Sequence, residues 1–235
     1  MAPVAIKSAV PSAMAGQKTA LQLVNFMLRC FYMNNVVEIY NKIAQDYAAI
    51  FDEDNSDNSA ADTFLQSLPP DGNILDTGCG TGRLTAYYSK QGYQVIGLDA
   101  SEKMLQIAQH NFPDLDFRLQ DIRTVNFSNN SFDAISVAYV LFHVNKIEVA
   151  QVVTNITHWL KPGGILFLVL QEGEGEIYVD EPLLSGEKIF LNLYAEAEIV
   201  DLLKKNGFLN IKIDRKMPTL AGELPYGKIF IWARN

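Results

Sequence analysis

Two cysteines and three histidines are all that 235 residues offer to a disulfide or a metal. Cys30 and Cys79 make neither a disulfide framework nor a zinc site, and His110, His143 and His158 have no metal-ligand spacing. Long hydrophobic runs are missing too: the most apolar stretch, residues 20–33, is too short and too interrupted to span a bilayer. Positive charge is scarce. Nineteen Lys and Arg face 27 Asp and Glu, for a net charge of −8, with no basic cluster. Binding to DNA or RNA draws much of its affinity from cations that displace condensed counterions, so nucleic acid is not an expected partner. These absences leave a cytoplasmic protein, monomer or homodimer, with neither membrane nor nucleic acid as partner. Acid is also absent from residues 1–37. That resembles a transit peptide only in this lack, and the plainer expectation is a native start at Met33, with 1–32 an upstream extension.

What is present is an alternation. β-rich runs at NILD (73–76), QVIGLD (94–99), DFRLQD (116–121), FDAISVAY (132–139), ILFLVL (165–170), NIKID (210–214) and KIFIWA (228–233) predict seven strands. Helical patterns fall between most of them: 82–91 closed by Gly92, Ser101 to about Asn111, a helix opened by the capping pair Asn145 and Glu148, and 195–206 closed by Gly207. Strands alternating with helices predict an α/β, doubly wound, mostly parallel seven-stranded sheet covered on both faces. The last two strands have no clear helix between them, which predicts an antiparallel C-terminal edge strand. The expected organisation is a cap helix and polar linker over 33–60, with DEDNSDNS (52–59) as a solvated break, then one domain over 61–235 with an acceptor loop at about 171–194.

The chemistry concentrates in NILDTGCGTGRLT (73–85). A strand runs into Asp76, three glycines follow at Gly78, Gly80 and Gly82, and a helix begins. In a doubly wound sheet ligands bind beyond the carboxyl ends of the strands, and glycine lets backbone approach them closely. The alternative is a tight turn without a ligand. The spacing is G-x-G-x-G, with Arg83 where a dinucleotide fingerprint wants Gly or Ala. A carboxylate at Asp76 also suits an ammonium better than a pyrophosphate, and S-adenosylmethionine (SAM) carries that ammonium. Asp99, ending the second strand, can accept ribose hydroxyls, as it would for NAD as well. Asp121 can accept an adenine amino group, with Ile122 and Met104 against the ring. A loop cap is the lesser alternative for Asp121, while Met104 reads at least as well as helix core.

With those stretches in view, the chain resembles a class I SAM-dependent methyltransferase of the small-molecule, ubiquinone/menaquinone-pathway type. The likeness rests on ILDTGCGTGRLT, VIGLDASEKML, LQDI, FDAISVAYVLFHV and LKPGGILFLV in order, over about 74–170, extended by AEAEIVDLLKKNGF (195–208) and EIYNKIAQDY (38–47). The resemblance implies a Rossmann-like methyltransferase fold, SAM as cofactor, and cofactor contacts from Tyr47, Asp76, Gly78, Cys79, Gly80, Asp99, Ala100, Met104, Asp121, Ile122 and Tyr139. It implies methyl transfer to a small molecule, against the alternatives of a SAM-binding module without catalysis, a nicotinamide oxidoreductase or an aminopropyl transferase.

Methyl transfer from a sulfonium asks mostly for alignment and exclusion of water, plus a base where the acceptor has a proton to lose. His143, just beyond the fourth strand, is the candidate base; a packing or capping histidine is the alternative. The [DNS]-P-P-[YF] signature of amino-group enzymes acting on bases or protein amides is missing, since AYVL stands there. No catechol-type acidic metal site is evident, so no metal is expected. Glu172, Glu174 and Glu176 alternate with glycines in QEGEGEIYVDEP (171–182) and read either as a mobile acidic lid, preferring a cationic or polyhydroxylated acceptor, or as a solvated charge run.

Overall fold

Strand β1 (Asn73–Thr77) is apolar except where it ends, and it lies in the middle of a seven-stranded sheet of order β3-β2-β1-β4-β5-β9-β8. The computed structural model describes residues 35–220 and 222–235. The expected extension 1–32 and the start at Met33 lie outside the described residues. The strands are β2 (Gln94–Asp99), β3 (Asp116–Leu119), β4 (Phe132–Ala138), β5 (Leu160–Gln171), β8 (Leu209–Lys216) and β9 (Lys228–Arg234). The first five run parallel, and β9 is antiparallel to both β5 and β8. The expected mostly parallel sheet is therefore present with its C-terminal strand reversed, and β8 lies outside that strand.

Both faces are covered. Along β5, Leu166, Leu168 and Leu170 turn to one face, where Val149, Val152, Val153, Ile156 and Trp159 of α5 (Lys146–Trp159) and Ile199 and Leu203 of α6 (Glu196–Lys205) bury against them. Ile165, Phe167 and Val169 turn to the other, against Ala61, Phe64 and Leu65 of α2 (Asn58–Leu65) and Tyr88 of α3 (Arg83–Lys90). This is the two-residue alternation of a strand, and burying one such leucine or phenylalanine contributes roughly 1.5–3 kcal/mol. The continuous apolar run in β5 follows from that two-sided burial. Helix α4 (Glu102–Asn111) lies against β2 and β3. Two helix starts are capped as the sequence suggests: Ser101 Oγ accepts from Met104 N–H and Asn145 Oδ1 from Glu148 N–H.

A third layer sits over the carboxyl ends of the strands. Helix α1, helical over 35–51, buries Val36, Ile39 and Ile43 on one face. They pack against a separate antiparallel hairpin, β6 (Gly175–Asp180) and β7 (Lys188–Leu193), and against Phe142 in the 3-10 turn Leu141–His143. Most of the acceptor loop expected at about 171–194 is thus a paired hairpin. Ile177 and Val179 on one strand and Ile189 and Leu191 on the other supply its apolar contacts, and the acidic residues at its edges hide that alternation in the sequence. The expected solvated linker 52–59 is also corrected. Asp57 is 7% exposed and accepts from the Tyr139 hydroxyl, Asp52 accepts from the Thr81 hydroxyl, and α2 begins at Asn58. Polar composition there reflects carboxylates aimed at site loops.

The cap is fastened through Ser101, whose hydroxyl donates to Asn41 Oδ1 of α1 at 2.7 Å while capping α4. Ser101→Ala removes both bonds from a residue only 2% exposed. It is expected to lower the unfolding free energy by about 1–2 kcal/mol. Urea denaturation reads this, and an unchanged midpoint would show that the cap bond carries no stability.

Candidate active site

In the order β3-β2-β1-β4-β5 the chain reverses direction across the sheet between β1 and β4, which opens a crevice beyond their carboxyl ends. One cavity occupies it, walled below by the loops after β1, β2, β4 and β5 and above by α1 and the segments around 181–183 and 222–224. All eleven expected cofactor residues and His143 line this cavity.

The turn after β1 is shaped by two different demands for glycine. At Gly78 (φ +64°) a Cβ would fall 2.0 Å from Val140 Cγ2, so glycine there lets the loop after β4 close against the turn. At Gly80 (φ +56°) a Cβ would meet nothing within 4 Å, so its bare backbone borders cavity space. The Gly80 N–H donates to Asp99 Oδ2 at 2.8 Å, and the Ser101 N–H donates to Oδ1 at 2.7 Å. These amides fix the carboxylate at the mouth of β2. Burial raises its pKa and the amide donors oppose that rise.

Asp76 is 1% exposed and accepts from the Thr85 hydroxyl at 2.7 Å. Burial pushes its pKa up to about 6, against the Thr85 and Ser136 hydroxyls that favour the anion. Two carboxylates, buried Asp76 and half-buried Asp99, thus flank the bare glycine backbone. A pyrophosphate there would face both, whereas a zwitterion with a free ammonium would satisfy them. On the far side, Met104 and Ile122 are 2% and 5% exposed and give apolar walls. Asp121 is engaged by Arg123, whose backbone N–H donates at 2.8 Å and whose guanidinium also binds it. An adenine amino group at Asp121 would share it with that guanidinium. Cys79 is buried, its thiol pKa raised by burial, and its N–H donates to Leu98 O. Ala100 is half-buried beside it. This donor set fits SAM: a carboxylate for an ammonium, another for ribose hydroxyls, apolar walls for a ring, and bare backbone between.

The cap brings Tyr40 and Tyr47 together edge-on, 6.1 Å between ring centres, with Phe51 4.6 Å beyond. Burial pushes the Tyr47 phenol up to about 12. His143, expected to present a basic nitrogen to a substrate, has both nitrogens engaged. Tyr40 Oη lies 2.8 Å from Nε2 and Phe190 O lies 3.0 Å from Nδ1. A carbonyl can only accept, so Nδ1 carries the proton and Nε2 accepts from the tyrosine. Burial lowers the imidazole pKa to about 4. Tyr40, which caps Nε2, lines the cavity as well.

Tyr139 ends β4 at φ +64°, an uncommon conformation for a residue with a bulky side chain. Its hydroxyl donates to Asp57, which Lys216 also approaches at 3.2 Å, and the Lys228 ammonium lies 5.3 Å from the centre of its ring. Lys228 is bound to Glu223. Asp52, Asp57, Gln171, Glu181, Glu223 and Lys228 all line the cavity and are absent from the sequence-based set. Only Gln171 had a visible signal, as the first polar residue after the apolar run of β5. Among the described residues no three His, Cys, Asp or Glu are grouped to hold a metal ion.

Comparison with known proteins bears on the whole site. Residues 74–164 match the family model described as a methyltransferase domain. The chain is 38% identical over 181 residues to the mitochondrial ubiquinone biosynthesis O-methyltransferase of Rattus norvegicus, covering 69% of this chain and 50% of the relative. It is 35% identical over 97 residues to the demethylmenaquinone methyltransferase of Renibacterium salmoninarum, covering 41% and 40%. The chain spans about half the length of the curated relatives it matches. A similar fold is that of Burkholderia thailandensis 1,6-didemethyltoxoflavin-N1-methyltransferase, solved with 1,6-didemethyltoxoflavin and S-adenosylhomocysteine. Its TM-score is 0.71 at 19% identity, over 88% of this chain and 90% of that one.

The raised pKa of Asp76 has a defined sign. Its folded pKa of about 6 exceeds the ordinary 3.8, so its contribution to stability is complete below pH 3.8 and is lost as pH rises through 6. The loss amounts to about 2–3 kcal/mol. Asp76→Asn is expected to remove it, so that the variant gains on the wild type between pH 4 and pH 7.5 in paired urea denaturations. An identical difference at both pH values would refute the burial account.

Proposed function

The chain belongs to the class I SAM-dependent methyltransferases, and from that premise we propose that it transfers a methyl group from SAM to a small-molecule acceptor. The observation that carries this reading is a pair of carboxylates, buried Asp76 and half-buried Asp99, on either side of the unfilled backbone at Gly80. Asp76 would hold the ammonium, Asp99 the ribose hydroxyls, and Met104 and Ile122 the adenine ring. When bound, SAM supplies an electrophilic methyl carbon on sulfur, which takes back the C–S electron pair as the acceptor's lone pair forms the new bond.

The protein's own task is alignment and closure. Tyr40, Tyr47 and Phe51 of α1 roof the cavity and keep bulk water from the transfer. Where the acceptor has a proton to lose, its X–H would donate to the Tyr40 oxygen, whose own proton is already directed at His143 Nε2. His143, whose Nε2 takes up the proton that Tyr40 gives up, is then the terminal acceptor of the relay and Tyr40 the first. Its low pKa keeps the ring neutral and Nε2 able to accept near neutrality. The cavity lining continues past the cofactor residues to Gln171, Glu181, Glu223 and Lys228, polar groups that a SAM-binding module without turnover would not need.

Calorimetry with S-adenosylhomocysteine and labelled-SAM turnover test this together. Asp99→Ala is expected to weaken binding at least about tenfold, since hydrogen bonds to a charged group are worth roughly 1.5–3 kcal/mol. Tyr40→Phe is expected to reduce kcat about tenfold or more, with cofactor affinity kept within about twofold. Absence of binding removes the proposal. Undiminished turnover in Tyr40→Phe assigns the Tyr40–His143 bond to packing alone.

A further inference from the structure

The part of the cavity over β4 and β5 is built unlike the part over β1 and β2. Gln171, the last residue of β5, is 3% exposed and lines the cavity, yet its Oε1 has no hydrogen-bond partner among the described residues. A buried amide oxygen of this kind calls for a donor. SAM's ammonium is not well placed to be that donor. Asp76 lies at the end of β1, and Gln171 lies two strands away across β4, roughly 10 Å at ordinary strand spacing. Nor does Lys228, which faces Gln171 in the β5–β9 ladder, satisfy it: that ammonium is bound to Glu223 over the Tyr139 ring. The donor therefore has to come with the acceptor.

Charge narrows its class. Among the described residues eight carboxylates line the cavity against two cations, Arg83 and Lys228. Asp57, Asp121 and Glu223 have cationic partners. Glu181 has none among the described residues: it is 8% exposed, and its carboxylate accepts from the Leu183 N–H at 3.1 Å. Burial raises its pKa; burial first, then Tyr47 and the Glu181 charge, raise that of Tyr40. Both residues line the cavity together with Tyr47, Phe51, Tyr139 and Phe142, and ring faces attract cations. An anionic acceptor would meet uncompensated charge of its own sign.

We propose that the methyl acceptor carries an ammonium group, recognised by Glu181 within the aromatic wall, and that it presents a further N–H or O–H to Gln171 Oε1. The inference deepens the methyl-transfer reading and rests on it. It makes Glu181 and Gln171 specificity determinants for a small amine, and it leaves open which acceptor atom is methylated.

The test uses the full chain, labelled SAM, and a small-molecule extract of the source cells separated at pH 7 on cation and anion exchangers. Label is expected in products from the cation-exchanger fraction, at least tenfold above the anion-retained and unretained fractions. Glu181→Gln and Gln171→Leu are each expected to raise the acceptor KM tenfold or more, with S-adenosylhomocysteine affinity within twofold of wild type. That affinity also reports that the variants are folded. Acceptance confined to the anion-retained or unretained fraction overturns the inference while leaving methyl transfer intact. A matched loss of S-adenosylhomocysteine affinity moves both residues to the cofactor side and overturns it too. Label in no fraction, with cofactor still bound, sinks the methyl-transfer reading and this inference with it.

Discussion

A carboxylate buried where its ionisation is costly is the constraint around which the site is arranged. Asp76 is held by hydroxyls, with no salt bridge among the described residues, and its pKa of about 6 measures how incompletely they replace water. Holding it requires Thr85 at the first turn of α3, Ser136 beside it on β4, and a loop after β4 close enough to shield it. That closeness is possible because Gly78 has no side chain: any Cβ would strike Val140. The glycine serves shielding as much as ligand approach, and the unmet charge is what a ligand's cation can neutralise. Local strain and unmet polarity tend to gather at functional sites, where the surrounding fold over-determines them; Tyr139 with φ +64° and the orphaned Gln171 oxygen share this cavity with Asp76.

The sheet order converts these separate residues into a row. Asp99, Asp76, Tyr139 and Gln171 stand at or just beyond the ends of β2, β1, β4 and β5, which are neighbours in that order. Moving along the row, the chemistry changes from amide-fixed carboxylate, through buried carboxylate, to aromatic rings and a vacant hydrogen-bond acceptor. A ligand laid along it meets a polar sugar site first and a mixed aromatic and anionic site last. That gradient is a property of topology: a different strand order would scatter the same side chains.

What could be read from sequence followed the strength of local patterns. β2 is bounded at Gln94 and Asp99, as QVIGLD suggested, because a buried parallel strand is a short apolar run with sharp polar ends. The caps at Ser101 and Asn145 were readable for a similar reason, since capping is local chemistry. The hairpin of β6 and β7 was not readable, because β6 has only Ile177 and Val179 set between Glu176, Tyr178 and Asp180, directly after the glycine–glutamate run at 172–175. His143 illustrates a different gap. Its place beyond β4 was visible, but the partners that decide its protonation, Tyr40 and Phe190, are 103 and 47 residues away. Asp52 and Asp57 failed likewise: nothing local separates a carboxylate aimed at Thr81 or Tyr139 from one aimed at water.

The attachment of the cap shows how such distant pairs work together. Tyr40 bonds His143 in the loop after β4, Asn41 bonds Ser101 in the loop after β2, and Asp52 bonds Thr81 in the turn after β1. Three polar bonds from one short stretch therefore reach three of the loops that form the cavity floor. Each is worth about 1 kcal/mol net, less than the roughly 1.5–3 kcal/mol from burying any one of Val36, Ile39 or Ile43 on the opposite surface. The apolar face holds α1 in place and the polar bonds decide where along its length it rests. A slip of one turn would return an apolar face to the hairpin but forfeit all three bonds. Cap position and site geometry are consequently set together, and the aromatic roof lies over the carboxylates only in that register.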